Sequence, residues 1–202
     1  MASAPTKPNR REAQQIRTRQ KLFDAALAEY RRSGVADADI GVITAEADVA
    51  RSTFYLHFPT KGHVMAMLEA REQTRMATEL TRFLATPHDL EGALKDVIRL
   101  VLAMERRLGR TLFRELLAHR FTPTRPDLDD NAEVPIVALV VGEIERARDA
   151  GEAAPDIDAT LSAVFFLLGL YSLLVTINVS KAARAHMLDA FVTNTLRGLQ
   201  PR

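Results

Sequence analysis

"ARSTFYLHFPTKGH", residues 50–63, is the stretch on which the fold turns. Here Arg51, Ser52, Thr53, Tyr55, His57 and Lys61 surround Phe54, Leu56 and Phe58. A helix that only fills a core has no use for so many hydrogen-bonding groups. A fully solvated face has none for two phenylalanines and a tyrosine. The segment therefore reads as a short helix with one face in a core and the other turned to a polar partner. Pro59 ends it, because the residue before a proline avoids the α region.

Upstream, Ile40–Ala47 reads as a second short helix with Asp39 as its N-cap, and "ADVA" makes the turn between the two. Ahead of both lies a longer helix over Arg11–Arg32, with Ile16, Phe23, Ala26, Leu27 and Tyr30 at helical spacing. Gly34 suits an αL position at its end. Downstream, Thr60 is placed to cap a long fourth helix reaching about Ala85. Two short helices joined by a tight turn behind a longer one make a tri-helical helix-turn-helix, whose second short helix enters the DNA major groove.

On that reading each residue type has a task. Arg51, Ser52 and Thr53 stand at the N-terminal end of the third helix, the end that meets base edges. Arginine can pair guanine in bidentate fashion, and a threonine methyl can touch the thymine methyl. Tyr55, His57 and Lys61 can reach phosphate oxygens, which position a protein without reading sequence. Phe54 and Phe58 belong to the core, pinning the third helix to the first and fourth.

The charge distribution agrees. The net charge is +1, yet residues 1–63 hold ten Lys/Arg against seven Asp/Glu. Six basic groups, Arg10 and Arg11 among them, stand in the first 21 residues against Glu12 alone. A basic end on a near-neutral body points to a polyanion met from that end.

The hydrophobic content of 47% over 202 residues supports a sizeable core, as one large domain or two small ones. The absence of cysteine excludes disulfides, thiolate metal sites and thiol nucleophiles. No apolar stretch of the signal-peptide kind stands near residue 1, and a cytoplasmic location is expected. The pattern is helical nearly throughout, with no alternating strand pattern and no internal repeat. The expected fold is all-α with about nine helices. One of them lies in "ATLSAVFFLLGLYSLLVTINV", Ala159–Val179, which carries no charge over 21 residues. It is long enough to span a bilayer. Its Ser162, Ser172, Thr176 and Asn178, its flanking cap signals and the amphipathic helix after it favour a helix buried between subunits instead.

The run "ITAEADVARSTFYLHFPTKGHVMAML" resembles the DNA-binding domain of the tetracycline-repressor-like (TetR) family of regulators. Ile43, Ala47, Val49, Thr53, Tyr55, Phe58 and Lys61 stand where that family's pattern has the same residues. The resemblance is by motif over residues 1–65 and by helical layout beyond. Three positions depart from it. Asp48 replaces the turn glycine. Ala50 replaces the serine that caps helix three, at a cost of about 1 kcal/mol. Gly41 stands where some members carry a base-reading side chain, which shifts base readout toward helix three.

The resemblance implies a DNA-binding domain over 1–62 and a ligand-binding and dimerising domain over 63–202. It implies a homodimer held by the last two helices, with Ser162, Gly169, Ser172 and Thr176 as a small-residue strip that lets a helix approach. Phe165, Leu173, Met187 and Phe191 supply apolar area. It implies double-stranded DNA with a palindromic operator as one partner and a small-molecule effector as the other. Effector candidates are Met104, Phe113, Arg114, His119, Phe121, Val137, Phe166 and Tyr171. Binding of the effector would favour an arrangement of helix four that no longer fits successive major grooves, with a hinge at Phe58–Gly62, and would release the operator.

No cofactor and no resident metal are expected. Glu115 and His119 share a helical face at a spacing that can hold a metal, but no third ligand is visible. An enzyme is disfavoured: the nearest two glycines are seven residues apart, so no phosphate-cradling loop exists, and no hydrolase or metalloprotease motif appears. The remaining alternative is a helical dimeric interaction module that has lost DNA binding, a reading for which Asp48 and Ala50 would speak.

Overall fold

The structure, a computed structural model, describes residues 9–120, 135–176 and 179–201. Among these the chain forms nine α-helices and no strand: α1 (Arg10–Asp37), α2 (Ile40–Glu46), α3 (Arg51–His57), α4 (Lys61–Leu84), α5 (Leu90–Leu108), α6 (Arg110–Arg120), α7 (Pro135–Asp149), α8 (Ala159–Thr176) and α9 (Lys181–Leu199). The all-α expectation holds.

Helix ends follow local chemistry. Asn9 caps α1 in a reciprocal capping box: its Oδ1 accepts from the Glu12 N–H at 2.9 Å, and the Glu12 carboxylate accepts from the Asn9 N–H at 2.9 Å. Asp39 caps α2 through the Gly41 N–H at 2.6 Å. The first helix does not stop at Arg32 as the pattern suggests. It is assigned through Asp37, with a break at Gly34, where φ is 79° and ψ is 167°. That is not the αL conformation expected there but a region only glycine occupies readily.

The chain divides into two compact units, and not at residue 62. The first comprises residues up to Met67 together with Leu108–Pro126, so α6 belongs with the helix-turn-helix; the second comprises Leu68–Arg107 and Asp127–Arg202. The physical reason for α6's place is Glu115. Its Oε2 accepts from the Val35 N–H at 2.9 Å, just past the Gly34 break, and Leu112, Phe113, Leu116 and Leu117 beside it are buried. In the first unit α1 packs on α2 and α6, and α2 on α3. In the second, α8 packs between α7 and α9.

The uncharged helix α8 is long and apolar enough to cross a membrane by length and composition. Ala159, Ala163, Phe166, Leu167, Leu170, Tyr171 and Leu174 form its buried face, while Leu161, Phe165, Leu168 and Ser172 recur at helical spacing on an exposed one.

Candidate nucleic-acid interface

The helix-turn-helix is built around Phe54 and Phe58, both fully buried, with ring centroids 5.9 Å apart. They meet a core that includes Leu22, Ala26, Tyr30, Ile43 and Val64. Residues two apart fall on nearly opposite sides of a helix, so burying Phe54 turns Ser52 and Leu56 outward. The turn between α2 and α3 is set by Asp48, at φ 55°, and by backbone bonds from the Asp48 N–H to the Ala45 carbonyl and from the Val49 N–H to the Thr44 carbonyl. Asp48 thus takes the αL conformation that the missing glycine would have held. Ala50 has N-cap geometry, φ −70° and ψ 150°, but no side-chain bond to the helix.

The residues expected to meet DNA all fall in this unit, in graded exposure. Arg51, Ser52 and Tyr55 are exposed on α3, and Arg10 and Arg11 on the first turn of α1. Thr53, His57 and Gly41 are half-buried. The Tyr55 ring stands edge-on to Phe54 at 5.5 Å, which fixes its direction. Burial, and then the nearby Arg19, hold the His57 imidazole below its usual pKa. Arg19 itself lies over the Phe58 ring at 5.1 Å.

Lys61 does not fit the phosphate role expected of it. Its Nζ donates to the Val35 carbonyl at 3.0 Å and the Ala36 carbonyl at 2.7 Å, closing the C-terminal end of α1. The Tyr30 hydroxyl donates to the Lys61 carbonyl at 3.4 Å. An ammonium held by two carbonyls would have to leave them to reach a phosphate. Thr60, expected to cap α4, instead has its Oγ1 2.9 Å from His63 Nδ1. The Asn9–Glu12 capping box and the Glu115 bond to Val35 were not anticipated. The first was legible as Asn-x-x-Glu before a helix; the second joins residues eighty apart and leaves no local signal.

Comparison with known proteins agrees with this geometry. No family model matches the chain. The transcriptional repressor SCO4008 of Streptomyces coelicolor is 32% identical over 75 residues, covering 37% of this chain and 38% of that protein. The transcriptional regulator UidR of Escherichia coli is 24% identical over 174 residues, 86% of this chain and 87% of that one. Thermus thermophilus FadR, a TetR-family repressor solved with lauroyl-CoA, superposes with a TM-score of 0.70 at 18% identity, covering 91% of this chain and 96% of FadR. The chain has the fold of TetR-family regulators. In sequence it is similar to helix-turn-helix transcriptional regulators.

The residues expected at an effector site are divided between the two units. Phe113, Arg114 and His119 lie in the first unit, with Phe113 fully buried; Met104, Val137, Phe166 and Tyr171 lie in the second. Phe121 falls outside the described residues. An open cleft of about 340 Å³ in the second unit, floored by Ile98, Leu102, Leu188 and Val192, contains none of them.

The expected interface residues separate as well. Phe165 and Ser172 are exposed on α8 as a dimer surface requires, and Thr176 is exposed with its hydroxyl donating to the Ser172 carbonyl at 2.7 Å. Ser162, Leu173 and Met187 are half-buried. Gly169 and Phe191 serve a contact within the chain instead. A Cβ on Gly169 would stand 2.9 Å from Phe191 Cε2, and the Phe191 ring stacks on Phe166 with centroids 5.4 Å apart. The glycine lets α9 seat its aromatic ring on α8 of the same chain.

Proposed function

We propose that this TetR-family regulator is a repressor that binds a palindromic operator as a homodimer and is released by a small-molecule effector held by its C-terminal helices. The observation that carries the reading is α3. Two phenylalanines anchor it to the core, while Arg51, Ser52 and Tyr55 stand exposed on a helix too short to contribute a core of its own. A single such helix reads few base pairs, so selectivity calls for two, roughly 34–36 Å apart or a multiple of that along the duplex. The uncovered apolar stripe of α8 supports pairing of two copies. Helix α4, continuous from Lys61 to Leu84, belongs to both units and is the element through which effector binding would act. The reading involves no catalysis and places the protein in the cytoplasm.

Selection of random duplex DNA on the purified protein tests the proposal, followed by binding of the enriched site across a salt series. An enriched palindrome, bound with an affinity that falls steeply with salt, is the expected result. Failure to enrich any duplex, with the dimer intact, would favour the interaction module.

A further inference from the structure

Leu56 is the most exposed large apolar side chain among the described residues, at 78%. It lies two positions, about 200° around the helix, from the buried anchor Phe54, which puts it on the side of α3 opposite the core. Ser52, one turn earlier on the same side, is exposed too, and so is Arg51 beside it. Tyr55, the neighbour with a ring, is directed by its edge-on contact with Phe54 rather than by Leu56. Leu56 thus occupies the crest of the helix that the proposed function places against DNA, and it offers neither donor nor acceptor.

The major groove has one apolar feature for such a side chain, the C5-methyl group of thymine. The other crest residue, Ser52, can bond to any base edge and so discriminates weakly. We infer that Leu56 is a specificity-determining residue that selects thymine in each operator half-site by packing on its C5-methyl group. The inference rests on the DNA-binding reading above. It shifts part of the sequence readout from hydrogen bonds to an apolar contact, which compensates for Gly41, where α2 offers no side chain.

The test is chemical substitution in the selected operator. Each thymine is replaced in turn, symmetrically in both half-sites, by deoxyuridine, which lacks only the methyl group. Binding is measured for the wild type and for Leu56→Ala. One position is expected where the wild type loses about fourfold affinity per half-site, the worth of one buried methyl, and about fifteenfold for the pair. At that position Leu56→Ala is indifferent to the exchange, while it keeps any sensitivity that other residues, such as Thr53, create elsewhere. Leu56→Ala is also expected to bind the thymine operator more weakly, with its helicity and unfolding midpoint unchanged, because the side chain supports no core. An enriched operator with no position at which the two proteins differ in their response to the methyl group would overturn the inference alone. So would Leu56→Ala binding the thymine operator as tightly as wild type. Failure to enrich any duplex would overturn both this inference and the DNA-binding reading beneath it.

Discussion

At the scale of single residues, the junction between α1 and α2 is held by three groups from distant parts of the chain. Gly34 takes a backbone conformation that costs other residues of order 1–3 kcal/mol. A Cβ there would also stand 2.9 Å from Glu115 Oε1, whose carboxylate is committed to the Val35 N–H. Gly34→Ala is therefore expected to lower the unfolding free energy by about 2 kcal/mol or more in denaturant titration. Lys61 closes the same junction from the other side. Lys61→Ala is expected to lower stability by about 1 kcal/mol, since one of its two bonds is exposed to water. Its salt dependence of operator binding should match wild type. A slope reduced by about one would instead return Lys61 to the phosphate role expected from the motif. The Tyr30 hydroxyl lies beside this junction, and burial, with Glu115 as the smaller cause, raises its pKa well beyond the ordinary range.

At the scale of elements, α3 carries an avoidable defect. Ala50 has the backbone angles of an N-cap and no side-chain oxygen to use them. Ala50→Ser is expected to stabilise the protein by about 1 kcal/mol, visible as a higher thermal midpoint. The turn between α4 and α5 is tied to α7 by His88. Its Nδ1 lies 2.6 Å from the Thr86 carbonyl and its Nε2 2.9 Å from the Glu143 carboxylate. Both neighbours are acceptors, so the doubly protonated ring satisfies both. The Thr86 carbonyl chiefly, and then Glu143, raise the His88 pKa, against the opposing effects of burial and Arg146. A folded-state pKa above the unfolded value means the contribution is complete below the ordinary histidine value of about 6.5 and is lost as pH rises through the folded value. Wild type is therefore expected to lose stability from about neutral pH upward in a titration of denaturant midpoints. In His88→Gln that part of the slope should vanish. A wild-type midpoint that rises over this range, or a slope that survives the substitution, would contradict the assignment.

At the scale of the whole molecule, the proposed dimer rests on the exposed stripe of α8. Leu161 is 51% exposed, Phe165 67% and Leu168 42%, in a helix without a charged residue. Covering such side chains is worth about 1.5–3 kcal/mol each. Phe165→Asp sets a charge in the middle of the stripe without touching the buried face. It is expected to yield a monomer by sedimentation, with the helical signal retained and operator affinity lowered at least tenfold, because one recognition helix then acts alone. A dimer that persists in Phe165→Asp would place the interface elsewhere. Gly169 and Phe191, which the family resemblance assigns to that interface, stand against each other within the chain.

The residue string by itself determined the all-α class, the helix-turn-helix, the caps at Asp39 and the burial of Phe54 and Phe58. These rest on spacing and cap chemistry within a few residues, and such signals survive in one dimension. It also marked Arg51, Ser52 and Tyr55, because their polarity clashes with the apolar positions between them. Tertiary structure alone decided what Lys61, Glu115, Gly169 and Phe191 do, since each meets a partner about twenty or more residues away that no local pattern names. It also decided that α6 belongs with the helix-turn-helix, and that Leu56, one leucine among many in the chain, is turned to solvent. An apolar side chain shows its purpose only when its surroundings are known, whereas a cap or a turn carries its purpose in its neighbours along the chain.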